Sequence, residues 1–93
     1  MGGYRAAQYL GLLLMNGKPG VPQNGAEAIK YFQFGAKAPG SEAAACMNNI
    51  GLCYENGIGV PRNLNLAISW YKTAISRGST SARDNLVRLG VQY

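Results

Sequence analysis

The 93-residue sequence contains no histidine, four acidic residues and two cysteines. Histidine is the commonest general acid–base group and the commonest metal ligand, so its absence removes the usual basis for catalysis or zinc binding. The four carboxylates are not paired with one another but lie far apart in the sequence, as Glu27, Glu42, Glu55 and Asp84. The sequence therefore predicts a protein that is not an enzyme and that has no metal site and no cofactor.

The two cysteines, Cys46 and Cys53, lie on one predicted helix. At about 1.5 Å of helical rise per residue their Cα atoms are roughly 10 Å apart, which is too far for a disulfide. No neighbouring base would activate either thiol. We expect both to be buried as small apolar residues in a reducing compartment, of which the cytoplasm is the favoured example.

The chain also lacks long apolar runs and clustered charge. No apolar segment approaches the roughly 20 residues that cross a bilayer, so no membrane span is predicted. The net charge is +5, but the basic residues are scattered and form no run. A basic nucleic-acid-binding module is therefore a less favoured alternative, which would require Arg5, Arg83 and Arg88 to share one face.

The sequence does contain an internal repeat, seen most clearly in residues 45–78. This segment predicts a helix, a turn rich in glycine and proline at residues 56–61, and a second helix that Asn63 caps. Residues of the first copy recur 40 positions later before the turn and 39 positions later after it: Gly11 and Gly51, Gly17 and Gly57, Asn24 and Asn63, Ala28 and Ala67. A third copy begins after Gly78. A self-match with this period predicts a helical solenoid.

The second copy resembles the Sel-1-like repeat, a relative of the tetratricopeptide repeat. The matching residues are Ile50, Gly51, Tyr54, Gly57, Gly59, Val60, Ala67, Trp70, Tyr71 and Ala74. The first copy departs at Leu14 and Gly35, and the third has Val87 where the helix glycine is expected. The resemblance covers roughly residues 5–90. It implies an all-α, right-handed superhelix of about two and a half helix-turn-helix repeats.

We expect one domain at residues 4–92, with repeat one at about 4–38, repeat two at about 42–78 and the first helix of repeat three at about 80–91. The predicted helices cover residues 4–16, 24–37, 42–56, 64–77 and 80–91. Asn24 and Glu27 suggest a capping box at the start of the second helix. Gly11 and Gly51 are predicted to admit a closely packed partner helix, and Gly59 to have a positive φ.

The resemblance implies a non-catalytic adaptor or scaffold that binds a protein or peptide partner on its concave face. Counted from the helix glycine, the residues expected on that face are Gln8, Leu12, Met15, Asn16, Asn48, Leu52, Glu55, Asn56, Asp84 and Arg88. Their mixed polar and apolar character suits a peptide backbone and disfavours a clamp for an acidic tail. An ordinary hydrated helix surface remains the alternative reading of these positions.

A structural subunit packed inside a larger assembly is the other alternative. In that case Val87 and Val91 of the last helix should form an exposed apolar strip, through which the chain self-associates or joins the assembly.

Overall fold

The computed structural model describes residues 3–92, which form five α-helices and no β-strand longer than an isolated bridge between Lys18 and Val21. The helices are α1 (Gly3–Asn16), α2 (Gly25–Gly35), α3 (Glu42–Asn56), α4 (Leu64–Ser76) and α5 (Thr80–Arg88). The all-α prediction is confirmed. The described part of the chain measures 38 × 30 × 17 Å, and its smallest dimension corresponds to two layers of packed helices.

Two predicted helices end at least two residues earlier than expected. Helix α2 stops at Gly35, and α5 stops at Arg88 rather than at residue 91. Gly90 adopts a left-handed conformation with φ 74°, and the Val91 N–H donates to the Leu86 carbonyl at 2.9 Å. This is a Schellman motif, which ends the helix and turns Val91 back onto the core.

The second helix of each repeat begins with an asparagine cap. The side chain of Asn24 accepts from the Glu27 N–H, and that of Asn63 accepts from the Leu66 N–H. The predicted capping box is only half formed, because the Asn24 N–H donates to the Leu14 carbonyl at 2.8 Å. The same bond recurs in the second repeat. The backbone of each cap residue therefore links the end of the first helix of its repeat to the start of the second by a hydrogen bond.

Glycine allows the two helices of each repeat to approach closely. Gly11 and Gly51 are buried. A Cβ atom at Gly11 would lie 2.5 Å from the Phe32 ring, and one at Gly51 would lie 2.6 Å from the Tyr71 ring. The predicted packing of small residues against large aromatic ones is confirmed.

A third close approach joins the two repeats. Gly59 has φ 76°, as predicted, and a Cβ atom there would collide with the main chain of Gly25 and Ala26. The turn of the second repeat thus packs directly on the start of α2. A side chain at Gly59 would be strained by its own backbone and would also push the repeats apart.

Helix α3 is central, since it contacts each of the other four helices. Two buried clusters lie on either side of it, one centred on Phe32 and Ile50 and the other on Tyr71 and Leu86. Trp70 is partly buried and packs against both clusters. Cys46 and Cys53 are buried and free, as expected, and burial raises the pKa of both thiols to about 11.

The C-terminal end of the described chain is partly apolar. Val87 is 63% exposed, and Leu64 and Leu66 are exposed as well, whereas Val91 is half-buried against the core. The expected exposed strip therefore contains Val87 but little of Val91. Among residues 3–92, no helix is both long and apolar enough to cross a membrane.

Candidate partner-binding groove

A groove of about 350 Å³ lies between α1, α3 and the start of α5. We call it the α1–α3–α5 groove. Its lining residues are Gln8, Leu12, Ser41, Ala44, Ala45, Asn48, Asn49, Gly78, Ser79, Thr80 and Ser81. None of these side chains is charged, and most are small. The groove therefore offers hydrogen-bonding groups from uncharged side chains.

Three of the ten predicted concave-face residues converge on this groove. Gln8 and Leu12 line it from α1, and Asn48 lines it from α3. Because α1 and α3 are the first helices of consecutive repeats, they lie side by side in one layer. Corresponding positions, such as Gln8 and Asn48, thereby face the same space.

Two predicted residues belong to the hydrophobic core instead. Met15 is 7% exposed and packs with Phe32 and Ile50 in one core cluster. Leu52 is half-buried against the other cluster. The helical position of Met15 relative to Gly11 led to its prediction as a surface residue, but the second helix of the repeat covers it.

Three further predicted residues are exposed but do not line the groove. Asn16 borders a separate shallow pocket with Tyr9 and Lys18. The Asn56 side chain donates to the Leu52 carbonyl at 3.1 Å within its own helix. Asp84 is exposed on α5.

The remaining two predicted residues, Glu55 and Arg88, pair with each other. Arg88 Nη2 lies 2.7 Å from Glu55 Oε1, and the same oxygen accepts from the Tyr71 hydroxyl at 2.6 Å. The hydrogen bond from Arg88 is the main cause that lowers the pKa of Glu55. In turn, burial and the bond to Glu55 raise the pKa of Tyr71. These groups form a structural network that links α3, α4 and α5.

This network reaches the groove through two asparagines. Arg88 also donates to Asn85 Oδ1 at 3.2 Å, and Asn85 Nδ2 donates to Asn48 Oδ1 at 2.8 Å. The chain of bonds therefore runs from the Glu55 carboxylate to a side chain that lines the groove. Helix α5 positions Asn48 without Asn85 itself lining the groove.

Sequence reasoning missed Asn49 and the segment at residues 78–81. Asn49 is 7% exposed and lines the groove, yet its side-chain amide forms no hydrogen bond within the described residues. No fully buried side-chain nitrogen or oxygen in that part of the chain lacks a partner, so the Asn49 amide must contact solvent in the groove. Asparagine is rarely buried without such a partner. A second polar residue beside Asn48 on an otherwise apolar helix was the available signal.

The groove has little chemistry for catalysis. Within residues 3–92, no group of three or more acidic or cysteine side chains is placed to hold a metal ion. The raised pKa values of Cys46 and Cys53 keep both thiols protonated and unreactive near neutral pH. What the arrangement provides is a set of hydrogen-bond donors and acceptors on a rigid scaffold.

Paired helices that stack through glycine turns, with a groove along the first-helix layer, define a helical-repeat solenoid. The chain belongs to the Sel1 repeat family: the model of the Sel1 repeat matches residues 5–39 and 44–79. Sel1 repeats are generally non-catalytic modules for protein interaction.

A solved structure agrees with this assignment, and two further proteins are similar in sequence. The chain is 32% identical over 81 residues to DAP3-binding cell death enhancer 1 of Rattus norvegicus, and equally so to that of Mus musculus. Each match covers 87% of this chain and 15% of the relative. The crystal structure of a Sel1 repeat protein from Oxalobacter formigenes aligns with a TM-score of 0.75 and 31% identity over 92% of this chain. The chain spans 24% of that protein's length.

Proposed function

We propose that this chain is a protein-interaction module that binds a peptide segment of a partner in the α1–α3–α5 groove. The single observation that carries the proposal is Asn49, a residue that is 7% exposed and whose side-chain amide contacts solvent in the groove with no partner within the described chain. The amide therefore has a free donor and a free acceptor, to which a ligand can bind in place of water.

The shape and chemistry of the groove favour an extended peptide. Gln8 and Asn49 each carry an amide that donates and accepts, as a peptide backbone does, and Asn48 has a donor NH₂ group while its oxygen accepts from Asn85. The small lining residues Ala44 and Ala45 allow a main chain to approach α3. The name of the rat and mouse relatives describes a binding protein, which agrees with a protein partner.

On this proposal the chain has no catalytic role of its own. Its rigid helices would present the groove without a large conformational change, since the groove residues lie on helices or on a helix cap. Binding would depend on hydrogen bonds from uncharged side chains and on apolar contact with Leu12.

A library of random peptides displayed on phage tests the proposal. Peptides are selected on the wild-type chain, and their affinities are then measured for Gln8→Ala and Asn48→Ala. Each substitution should weaken binding by roughly three- to tenfold, because each removes a hydrogen bond worth about 0.5–1.5 kcal/mol. Thermal melts of both variants verify that the fold is retained.

The matched controls are Lys30→Ala and Lys72→Ala, on the exposed surfaces of α2 and α4. Both should leave the affinity unchanged. Selected peptides that lose affinity with the lysine variants and not with the groove variants would show that the partner binds elsewhere.

The apolar C-terminal end supports a second candidate function, in which the chain packs within a larger assembly of similar repeats. Leu64, Leu66 and Val87 are exposed. Leu64 stands at the position that corresponds to Gly25, so its side chain prevents the close approach of a following glycine turn that Gly25 admits. The expected occupant is therefore an apolar surface of a second copy of this chain, bound through Val87.

Light scattering over a range of protein concentrations tests this contact. The average mass should rise with concentration, and Val87→Lys should suppress the rise without lowering the melting temperature, since Val87 is 63% exposed. A mass that stays constant at the monomer value would contradict self-association through this end.

A further inference from the structure

We infer that the α1–α3–α5 groove is a receptor for a single carboxylate of the bound peptide. This inference rests on the proposed function and specifies the ligand chemistry of the same groove. Three separate features place hydrogen-bond donors in it.

The first feature is the orientation of the Asn48 amide, which the hydrogen-bond network dictates. A guanidinium can only donate, so Arg88 requires the oxygen of the Asn85 amide to face it. The Asn85 nitrogen then faces Asn48 and donates a hydrogen bond to the Asn48 oxygen. The remaining group of Asn48 is its NH₂, which has no partner within the described residues. Asn48 therefore presents a donor to the groove.

The second feature is the N-terminus of α5, a helix of nine residues. The Ser79 side chain caps the Ala82 N–H. The N–H groups of Thr80 and Ser81 precede the first helical hydrogen bond and have no acceptor within the helix. Both residues line the groove. The positive end of the helix dipole lies in the same place, where it favours an anion.

The third feature is Asn49, a residue that is 7% exposed, lines the groove and has a side-chain amide without a partner within the described residues. Together with Asn48 and the start of α5, it places donors from two helices along the same groove. A carboxylate has two oxygens that accept several such bonds and carries one negative charge. Because no lining residue is a cation, one carboxylate is favoured over a multiply charged acidic segment.

The carboxylate has two sources, a peptide C-terminus or an Asp or Glu side chain. Three acetylated tripeptides distinguish them: Ala-Ala-Ala with a free C-terminus, the same peptide with a C-terminal amide, and Ala-Glu-Ala with a C-terminal amide. Each is titrated into the ¹⁵N-labelled chain, and the side-chain resonances of Asn48 and Asn49 are followed together with the backbone resonances of Thr80 and Ser81. The free acid should bind about tenfold or more tightly than the neutral amide, since hydrogen bonds to a charged group are stronger.

Two variants remove donors without filling the groove. Thr80→Pro deletes one N–H at the first helical position, where proline is well tolerated, and Ser79 already has the extended ψ of 112° that a following proline needs. Asn85→Asp still pairs with Arg88 but accepts from Asn48, so it reverses the Asn48 amide and directs its oxygen into the groove. Each should reduce the preference for the free acid about tenfold.

Asn56→Asp is the control for the added charge, because Asn56 is exposed on the same helix as Asn48, about 12 Å along its axis. It should retain the preference. The result that supports the inference is a preference for either carboxylate peptide that Thr80→Pro and Asn85→Asp abolish. Tighter binding of the Glu peptide would assign the carboxylate to a side chain.

Equal binding of acid and amide, or no shift of the groove resonances with any of the peptides, would overturn the inference. So would a preference that survives in both Thr80→Pro and Asn85→Asp. The proposed function would stand in each case if phage-selected peptides still require Gln8 and Asn48, so the two ideas fail separately.

Discussion

The turns of the two repeats have similar backbone conformations but differ in what they contact. Gly20 and Gly59 occupy equivalent positions in their turns and have similar φ angles of 84° and 76°. A Cβ atom at Gly20 would meet nothing within 4 Å, whereas one at Gly59 would meet the main chain of α2. The same local conformation thus forms only a solvent-exposed turn in repeat one, whereas in repeat two it also forms the interface between the repeats.

The helix pairs show a second difference. Repeat one joins its helices through Met15 and Phe32, both apolar. At the equivalent positions repeat two has Glu55 and Tyr71. The Glu55 carboxylate accepts hydrogen bonds from the Tyr71 hydroxyl and from Arg88. The polar pair connects repeat two to α5 and, through Asn85, to the groove. In repeat one these positions only pack the two helices together. In repeat two they pack the helices and also hold Arg88, which in turn orients Asn85 and Asn48.

The largest expected effect is a difference in stability between alanine variants of the two turns. Gly20→Ala should destabilise the fold by about 1–2 kcal/mol, the cost of a left-handed conformation with a Cβ atom. Gly59→Ala should cost about 1–3 kcal/mol more, because its methyl group also collides with the main chain of the first repeat. Urea unfolding of the two variants measures the difference. Equal losses would mean that the repeats do not rely on this contact.

The next effect compares the two helix crossings. Gly51→Ala should destabilise by about 1–3 kcal/mol through overpacking, offset in part by the roughly 1 kcal/mol better helix propensity of alanine. Gly11→Ala should cost less, because the Phe32 ring has no hydroxyl bond and can shift, whereas Tyr71 is held by Glu55. Thermal unfolding tests the order. A larger loss for Gly11→Ala would contradict the account of Tyr71.

A double substitution tests whether an apolar pair can replace Glu55 and Tyr71. Glu55→Met alone should cost about 1–3 kcal/mol, since it leaves the buried Tyr71 hydroxyl without its acceptor. Adding Tyr71→Phe reproduces the pair of repeat one and should recover much of that loss, as apolar replacements of buried polar pairs often do. The double-mutant cycle measures the coupling. Strictly additive losses would contradict a direct link between the two residues.

The smallest expected effect is a dependence of stability on pH, which is caused by Glu55 in repeat two. The pKa of Glu55 is lowered from its ordinary 4.5 in the fold, mainly by Arg88, with Tyr71 and Arg62 acting in the same direction. Its contribution is therefore present above about pH 4.5 and is lost as the pH falls through the lower folded value. Glu55→Gln should reduce this acid-dependent loss, which urea unfolding at a series of pH values measures. An unchanged pH profile would show that Glu55 is not responsible.

Local sequence was sufficient to predict the helices, the two asparagine caps and the positive φ of Gly59, because each depends on neighbouring residues. It was also sufficient to predict the packing of Gly51, because the repeat itself implies a partner helix. The burial of Met15 and the pairing of Glu55 with Arg88 depend on which side chains meet between helices. Helical position alone does not decide that.

The groove was predicted only in part for the same reason. Gln8, Leu12 and Asn48 follow from the repeat register, since they occupy defined positions on the first helices. Asn49 and the start of α5 contribute because the short connection after α4 places a helix N-terminus against α3. In the sequence that segment is Gly78 followed by three hydroxyl residues. This pattern indicates a turn and a helix cap but not a contact with α3.

Chemical-shift mapping of a phage-selected peptide on the ¹⁵N-labelled chain tests the central claim most directly. The account predicts that the largest shifts occur at Gln8, Asn48, Asn49 and Thr80, along the α1–α3–α5 groove. It predicts little change at Lys30 and Lys72 on α2 and α4. Shifts concentrated on α2 and α4, with the groove resonances unmoved, would contradict it.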